Sequence, residues 1–216
     1  MRRRGGIALT ALLLAMCLGL APDAWAGQGE GYFYKQGPKA IPDGHGAAKL
    51  RIQSELPNDV DPTIDYVSIS LRVSHPRTHD LVAKLKRPNF QYMGSPQSGI
   101  PRVITLSNRD TRGKNLGTGK CPASNPQSAP SGFTTLNDLG GPPLPMMPSP
   151  SPPLSTGTAP YAGAFAPTEP LSGFNGYHAA PSTDPASPET WTLIVKDVRA
   201  NNVGELRCAV LYLHRI

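Results

Sequence analysis

The chain has 216 residues, a formal net charge of +6, 25 prolines and 22 glycines, and only 17% of its residues are charged. This length allows one domain with a proper core and excludes two large ones. The lysines and arginines are scattered along the chain and interleaved with few aromatic residues, which argues against a nucleic-acid groove.

The N-terminus has the regions of a secretory signal peptide. Arginines at positions 2–4 precede an apolar run over residues 7–21, which is too short to span a bilayer comfortably. The small residues Ala24 and Ala26 then supply a cleavage site. We therefore expect a signal peptide over residues 1–26 and a mature chain that is secreted or periplasmic, with no transmembrane segment after cleavage.

The cysteines become informative once the signal peptide is removed. Cys17 leaves with it, and Cys121 and Cys208 remain. An even pair in an oxidising compartment predicts a disulfide between them. Two buried free thiols are the alternative.

Strand patterns begin after an N-terminal extension over residues 27–40. Tyr32, Phe33 and Tyr34 in this extension alternate poorly, so they form either an added edge strand or a segment that binds a partner. Residues 49–53 alternate well and predict an early strand.

Residues 67–88 hold the clearest pattern of the chain. Apolar residues at positions 67, 69, 71 and 73 alternate with polar ones, so one face of this strand should meet a core and the other should meet water. A second strand follows and stops at Pro88, which cannot donate to a ladder. The loop between the strands carries His75, His79 and Asp80, and it is where any chemistry would sit.

Later segments predict further short strands and one long excursion. Strand patterns cover residues 102–106, 133–136, 191–196 and 206–212, with loops around Cys121. Residues 142–160 are rich in proline, which favours an extended surface insertion within one domain. No segment has the period of an amphipathic helix, so the predicted fold class is all-β, with two packed sheets.

Several of these segments match a known pattern when they are taken together. They are the strand over 67–73 with His75, the run Asp80-Leu81 with Leu85 and Pro88, the segment 133–138, the stretch 161–176, and the series Trp191-Thr192-Leu193, Asp197, Gly204 and Leu206. In this set the chain resembles the P domain, also called the Homo B domain, of proprotein convertases and bacterial subtilisin-like proteases. The resemblance covers nearly the whole mature chain, and we assign the domain to residues 41–216.

The resemblance implies a jelly-roll-like β-sandwich of two antiparallel sheets that packs against a subtilisin-like catalytic domain. Because the residues before Ile41 are too few for a protease, we expect a stand-alone P domain. The chain departs from the family pattern at His79, at Asn89-Phe90, at Asn137 and in the proline-rich insertion.

Calcium is the metal that the resemblance implies. Some P domains bind it near acids that match Asp80, Asp138 and Asp197, and calcium prefers carboxylate and carbonyl oxygens. The alternative is that each aspartate caps a turn or accepts backbone N–H groups. We expect no other cofactor.

The sequence predicts no catalytic residues. Ser74, His75 and Asp80 are residue types that a hydrolase uses, but the chain has no Gly-x-Ser-x-Gly elbow, and neighbouring residues of a strand face opposite ways. We expect His75 to be structural, with its ring hydrogen-bonded to the neighbouring loop, as its match to the family suggests.

The expected function is that of an exported, non-catalytic module that binds or stabilises a partner protein. The expected partner is a subtilisin-like serine protease acting in trans or a cell-envelope protein, and not a nucleic acid. The alternative is a metal-stabilised structural protein of the cell envelope without catalytic activity.

Overall fold

The computed structural model of the chain describes residues 30–44, 46–54, 63–89, 91–92, 95–138, 150–179 and 189–216. The predicted signal peptide and residues 142–149 of the predicted insertion lie outside them. The strands are β1 (Glu30–Ile41), β2 (Ala47–Ser54), β3 (Ile64–Ser74), β4 (Leu81–Lys86), β5 (Gln91–Tyr92), β6 (Ser95–Pro96), β7 (Val103–Asn108), β8 (Thr134–Leu136), β9 (Gly163–Phe165), β10 (Glu189–Asp197) and β11 (Gly204–Arg215). Short 3₁₀ turns cover Thr78–Asp80, Leu154–Thr156 and Leu171–Phe174.

The strands form two main sheets, which confirms the predicted all-β sandwich. The first sheet has five strands in the order β1-β11-β3-β8-β9, and the second has four in the order β2-β10-β4-β7. The pairing is antiparallel except between β8 and β9, which run parallel, and β5 pairs only with β6. The parallel pair is a departure from the two purely antiparallel sheets that the resemblance implies.

The core lies between the two sheets and is filled by alternate residues of their strands. The inward set includes Leu50, Ile52, Val67, Ile69, Leu71, Val73, Leu81, Leu85, Trp191, Leu193 and Val195. The alternation predicted for residues 67–73 and 191–196 therefore does select the core face.

The second face of β3 does not meet water as the alternation predicts. Ser68 and Ser70 are only 6% and 3% exposed. The Ser70 and Thr135 hydroxyls lie 2.7 Å apart across the β3–β8 pair, so this face is closed by hydrogen bonding between strands. A central strand can bury a serine because the neighbouring strand supplies a hydrogen-bond partner for its hydroxyl.

In β11 the set of alternate residues that faces the core changes partway along the strand. Its pairing with β3 shifts by one residue between Leu206 and Cys208, as in a β-bulge. Leu206 lies in the core, whereas Cys208 and Tyr212 leave the inward set and Leu211 joins it. The alternation predicted for 206–212 therefore marks two different faces of the sheet.

The predicted disulfide is present between Cys121 and Cys208, whose Cα atoms are 6.1 Å apart. It ties the loop after β7 to the outer face of β11. From this loop the side chain of Asn125 accepts a hydrogen bond of 2.9 Å from the Tyr34 backbone N–H on β1.

Residues 30–40 of the N-terminal extension belong to the sandwich. Residues Glu30–Ile41 form β1, which pairs along β11 at the edge of the first sheet. Of the two interpretations of Tyr32 to Tyr34, the edge strand is the one found. The Tyr32 and Tyr212 rings lie 4.6 Å apart, and Tyr66 joins them at 5.8 Å from Tyr212.

The described part of the proline-rich insertion, residues 150–160, returns to the sandwich. Ser151 and Leu154 within it are buried, and the Ser151 hydroxyl donates to Asn137 Oδ1. The insertion is thereby joined to the residue that follows β8. No helix within the described ranges is long and apolar enough to cross a membrane.

Candidate functional site

Buried polar and charged side chains meet where β3 and β10 end. His75 follows β3 directly and Asp197 is the last residue of β10, and both side chains are fully buried. His75 Nε2 lies 3.0 Å from Asp197 Oδ2. Antiparallel pairing of β10 with β4 places Asp197 opposite Leu81, so the chain also brings Asp80 to this point.

The other ring nitrogen of His75 is held by the loop that follows. Nδ1 lies 2.8 Å from the carbonyl oxygen of Arg77 and 3.1 Å from its backbone nitrogen. It donates to the carbonyl when protonated and accepts from the N–H when not, so either state is hydrogen-bonded. This is the structural contact with the neighbouring loop that we expected of His75.

Gly204 leaves the space that the His75 imidazole occupies. A Cβ at this position would lie 2.3 Å from His75 Cδ2 and 2.9 Å from the Ser74 carbonyl oxygen. Real Cβ atoms do not approach so closely, so glycine is needed here for space. A glycine at position 204 therefore has a physical reason in this chain.

Asp80 is a second fully buried carboxylate beside this pair. Its Oδ1 lies 3.1 Å from His79 Nε2 and 3.5 Å from Arg199 Nε, although neither contact has hydrogen-bond geometry. Its Oδ2 accepts a long bond of 3.4 Å from the Asn202 amide. The nearby charge of Arg199, more than directed hydrogen bonding, therefore compensates the burial of Asp80.

Asp138 is not part of this group. It accepts hydrogen bonds from the backbone N–H groups of Leu171 (3.0 Å) and Ser172 (2.6 Å), and so caps the 3₁₀ turn Leu171–Phe174. The strand before it, β8, pairs with β3 at Ile69. His75 lies just beyond the end of β3, six residues after Ile69, which is roughly 20 Å for a rise of about 3.3 Å per residue.

Calcium stays a prediction at these three aspartates. The structure brings Asp80 and Asp197 together and leaves Asp138 apart, so the three do not form one site. Asp197 Oδ1 already accepts from the Arg199 N–H and Oδ2 from His75. Within the part of the chain that the structure describes, no three His, Cys, Asp or Glu side chains form a group that could hold a metal.

A surface cleft next to the buried acids was missed by reasoning from the sequence. We call it the arginine cleft, and it is lined by His79, Arg109, Asp110, Thr111, Arg112 and Ser155. Its signal in the sequence is the dense polar run over residues 109–114, which we interpreted only as loop. Arg109 also has a left-handed backbone (φ 66°), which is uncommon for a residue with a side chain.

No protein-family model matches the chain, and no curated protein matches it. Among solved structures it is similar to the complex of a serine protease of Aeromonas sobria with its chaperone, with 13% identity and a TM-score of 0.41. That match covers 87% of this chain and 27% of the other. A structure of the same serine protease gives 12% identity and a TM-score of 0.39, covering 85% of this chain and 26% of the other.

A third solved structure, FLHE, is matched at 12% identity and a TM-score of 0.36, with coverage of 87% of this chain and 99% of the other. The chain thus spans about a quarter of the two Aeromonas chains and nearly all of FLHE. These likenesses concern the arrangement of strands, and they give no residue of this chain a role.

Proposed function

We propose that this chain is an exported, non-catalytic module of the P/Homo B type that binds or stabilises a partner protein, and that the partner is a subtilisin-like serine protease acting in trans. One observation carries the proposal. The segments by which the sequence resembles P domains are in contact with one another in the fold.

The contacts join the segments in pairs. His75 is bonded to Asp197, and Gly204 leaves the space for its ring. At the other end, Asp138 caps the turn that carries Phe174, and the Phe174 ring packs edge-to-face on Trp191 at 5.3 Å. Residues far apart in the chain are thus used to hold one another in place.

This use of the residues supports a structural and not a catalytic role. A general base must present a free nitrogen to a substrate, whereas His75 is 1% exposed and both of its ring nitrogens have partners. The function then falls to the exposed surface, which suits a module that works by binding. The resemblance supplies the class of partner.

The test uses the mature chain and a secreted subtilisin-like protease encoded in the same genome, produced without a P domain of its own. We expect the two to elute together in size-exclusion chromatography, and we expect the module to lengthen the half-life of the protease at its growth temperature. Trp191→Ala, which removes the largest fully buried side chain of the described residues, is the destabilised control and should do neither.

Two results would count against the proposal. One is that no subtilisin-like protease of that genome elutes with the module or gains half-life from it. The other is turnover in a screen of ester and peptide substrates that the wild-type chain catalyses and that His75→Ala abolishes at a temperature where the variant is folded.

A further inference from the structure

The arginine cleft carries two guanidinium groups against one carboxylate, that of Asp110, so its arginine and aspartate charges sum to a net positive charge. Arg109 and Arg112 are exposed along the loop after β7. Within the described ranges, no ion pair joins either guanidinium to a carboxylate. The acid beside them, Asp110, is engaged elsewhere, because it accepts from the Asn108 N–H at 3.0 Å and from the Thr168 hydroxyl.

Both arginines are held on a fixed backbone. The Arg109 N–H donates to the Leu81 carbonyl at 3.1 Å, and its Nε donates to the His79 carbonyl at 3.3 Å. The buried hydroxyl of Tyr161 bonds both the N–H and the carbonyl of Arg112. Because the backbone is already fixed, a ligand that binds here has to order only side chains.

Among the described residues, the cleft also holds a hydroxyl that lacks a partner. Thr111 is 1% exposed, and its Oγ1 is buried without a hydrogen bond. Such a group is costly to bury unless something bonds it. The exposed hydroxyl of Ser155, on the 3₁₀ turn Leu154–Thr156 of the proline-rich insertion, lines the same cleft.

We propose that the arginine cleft binds the carboxylates of an acidic peptide segment. Planar guanidinium groups bond carboxylates in pairs of parallel hydrogen bonds, and the hydroxyls of Thr111 and Ser155 can donate to the same oxygens. The cavity volume of about 720 Å³ exceeds what a single inorganic anion fills, which favours a segment with several side chains. The identity of the segment as part of the partner protein rests on the proposed function.

The test is a fluorescence-anisotropy titration with a labelled peptide of alternating Asp and Glu, and with the matched peptide of Asn and Gln. The wild-type chain should bind the acidic peptide and not the amide one. Arg109→Gln/Arg112→Gln should weaken binding about tenfold or more, and Thr111→Val should weaken it with both charges kept. The matched control is Lys49→Gln/Arg51→Gln, which removes two exposed charges from β2 at the far edge of the second sheet and should leave binding unchanged.

Three results would overturn the inference. They are absence of saturable binding by the acidic peptide, equal loss in the control variant, and binding of inorganic phosphate at the cleft without binding of the peptide. Failure here can be told apart from failure of the proposed function. If Arg109→Gln/Arg112→Gln still elutes with the protease as wild type does, the proposed partner is supported and the cleft is not its binding site. If the acidic peptide binds and no protease elutes with the module, the cleft is supported and the proposed partner is not.

Discussion

His75 and Asp197 are 122 residues apart in the chain, and their side chains meet at 3.0 Å with no exposure to solvent. The bond joins the end of β3 in one sheet to the end of β10 in the other. It therefore fixes the two sheets to each other at a point where apolar packing gives way to loops.

Replacing His75 by alanine is expected to destabilise the fold strongly. The change leaves Asp197 Oδ2 buried without its partner, and an unsatisfied buried polar group costs about 1–3 kcal/mol, and more where the group is charged. Urea unfolding followed by circular dichroism measures the loss. The control is Glu205→Gln, which breaks the exposed pair with Arg207 and should cost less than about 1 kcal/mol. Equal costs for the two variants would contradict the structural role of His75.

Gly204→Ala tests whether the His75 imidazole needs the space that this glycine leaves. The added methyl would lie 2.3 Å from His75 Cδ2, so either the ring or the backbone of β11 must move. Overpacking of this kind costs about 1–3 kcal/mol. Val203→Ala, at a neighbouring residue that is 72% exposed, is the control and should be close to neutral. A melting temperature for Gly204→Ala equal to that of the control would show that the space is not needed.

Loss of the disulfide is expected to lower stability by about 4–5 kcal/mol on the chain-entropy model. The reason is that Cys121 and Cys208 close a loop of 87 residues in the unfolded chain. Thermal unfolding of Cys121→Ser/Cys208→Ser against wild type measures the loss. In dithiothreitol the wild type should fall to the stability of the double variant, and a gap that persists under reduction would point to damage by the serines.

Tyr212 is expected to make the fold sensitive to alkaline pH. Burial raises the pKa of Tyr212 well above its usual 10.0, and the nearby Glu30 raises it further. The unfolded chain then releases this proton near pH 10 while the folded chain keeps it. Stability from the protonated phenol is present below that pH and is lost as the pH rises toward the folded pKa.

Tyr212→Phe removes the phenol and with it this dependence of stability on pH. Its free energy of unfolding should therefore fall less steeply than that of wild type between about pH 9 and about pH 11. Urea titrations at several pH values give both slopes. Parallel slopes would mean that Tyr212 ionises in the folded chain as it does in the unfolded one.

Binding of calcium at Asp80 and Asp197 would require these carboxylates to change their present contacts. An ion there would have to share or replace the contacts of these carboxylates with His75, His79 and Arg199. If it does, millimolar calcium should raise the melting temperature of wild type and not of Asp80→Asn. Asp138→Asn separates the two locations, because only a site at the capped turn would lose its response. No heat in a calorimetric titration and no shift in melting temperature would exclude calcium at all three positions.

The period of two was enough to predict the class of fold and the strands β2, β3, β4, β7, β8, β10 and β11, whereas β1 was left open and β5, β6 and β9 were not predicted. It also selected the inward residues of β3 and β10, since alternation is a local property of an extended chain. It could not predict that Ser68 and Ser70 are buried, because their covering depends on a neighbouring strand far away in the chain. The shift at Leu206 in β11 was equally hidden, because a bulge inserts a residue without changing the composition.

The contacts of the polar interior could be predicted from the sequence only in part. The resemblance singled out His75, Asp138 and Asp197, but not which of them would meet, because strand register decides that. Arg109 and Arg112 carried no pattern that distinguishes them from an ordinary polar loop. Their meaning depends on Tyr161 and Ser155, which approach them only in the folded chain.

The bond from the Tyr34 N–H to Asn125 has a consequence for how copies of this protein meet. An outermost strand of a sheet can recruit a strand from another molecule only through backbone groups that are free to pair. At Tyr34 that donor is occupied by a side chain, which comes from a loop fastened to the next strand by a covalent bond. The first sheet is thus closed at this point by the protein itself, and crowded molecules are kept from joining edge to edge there.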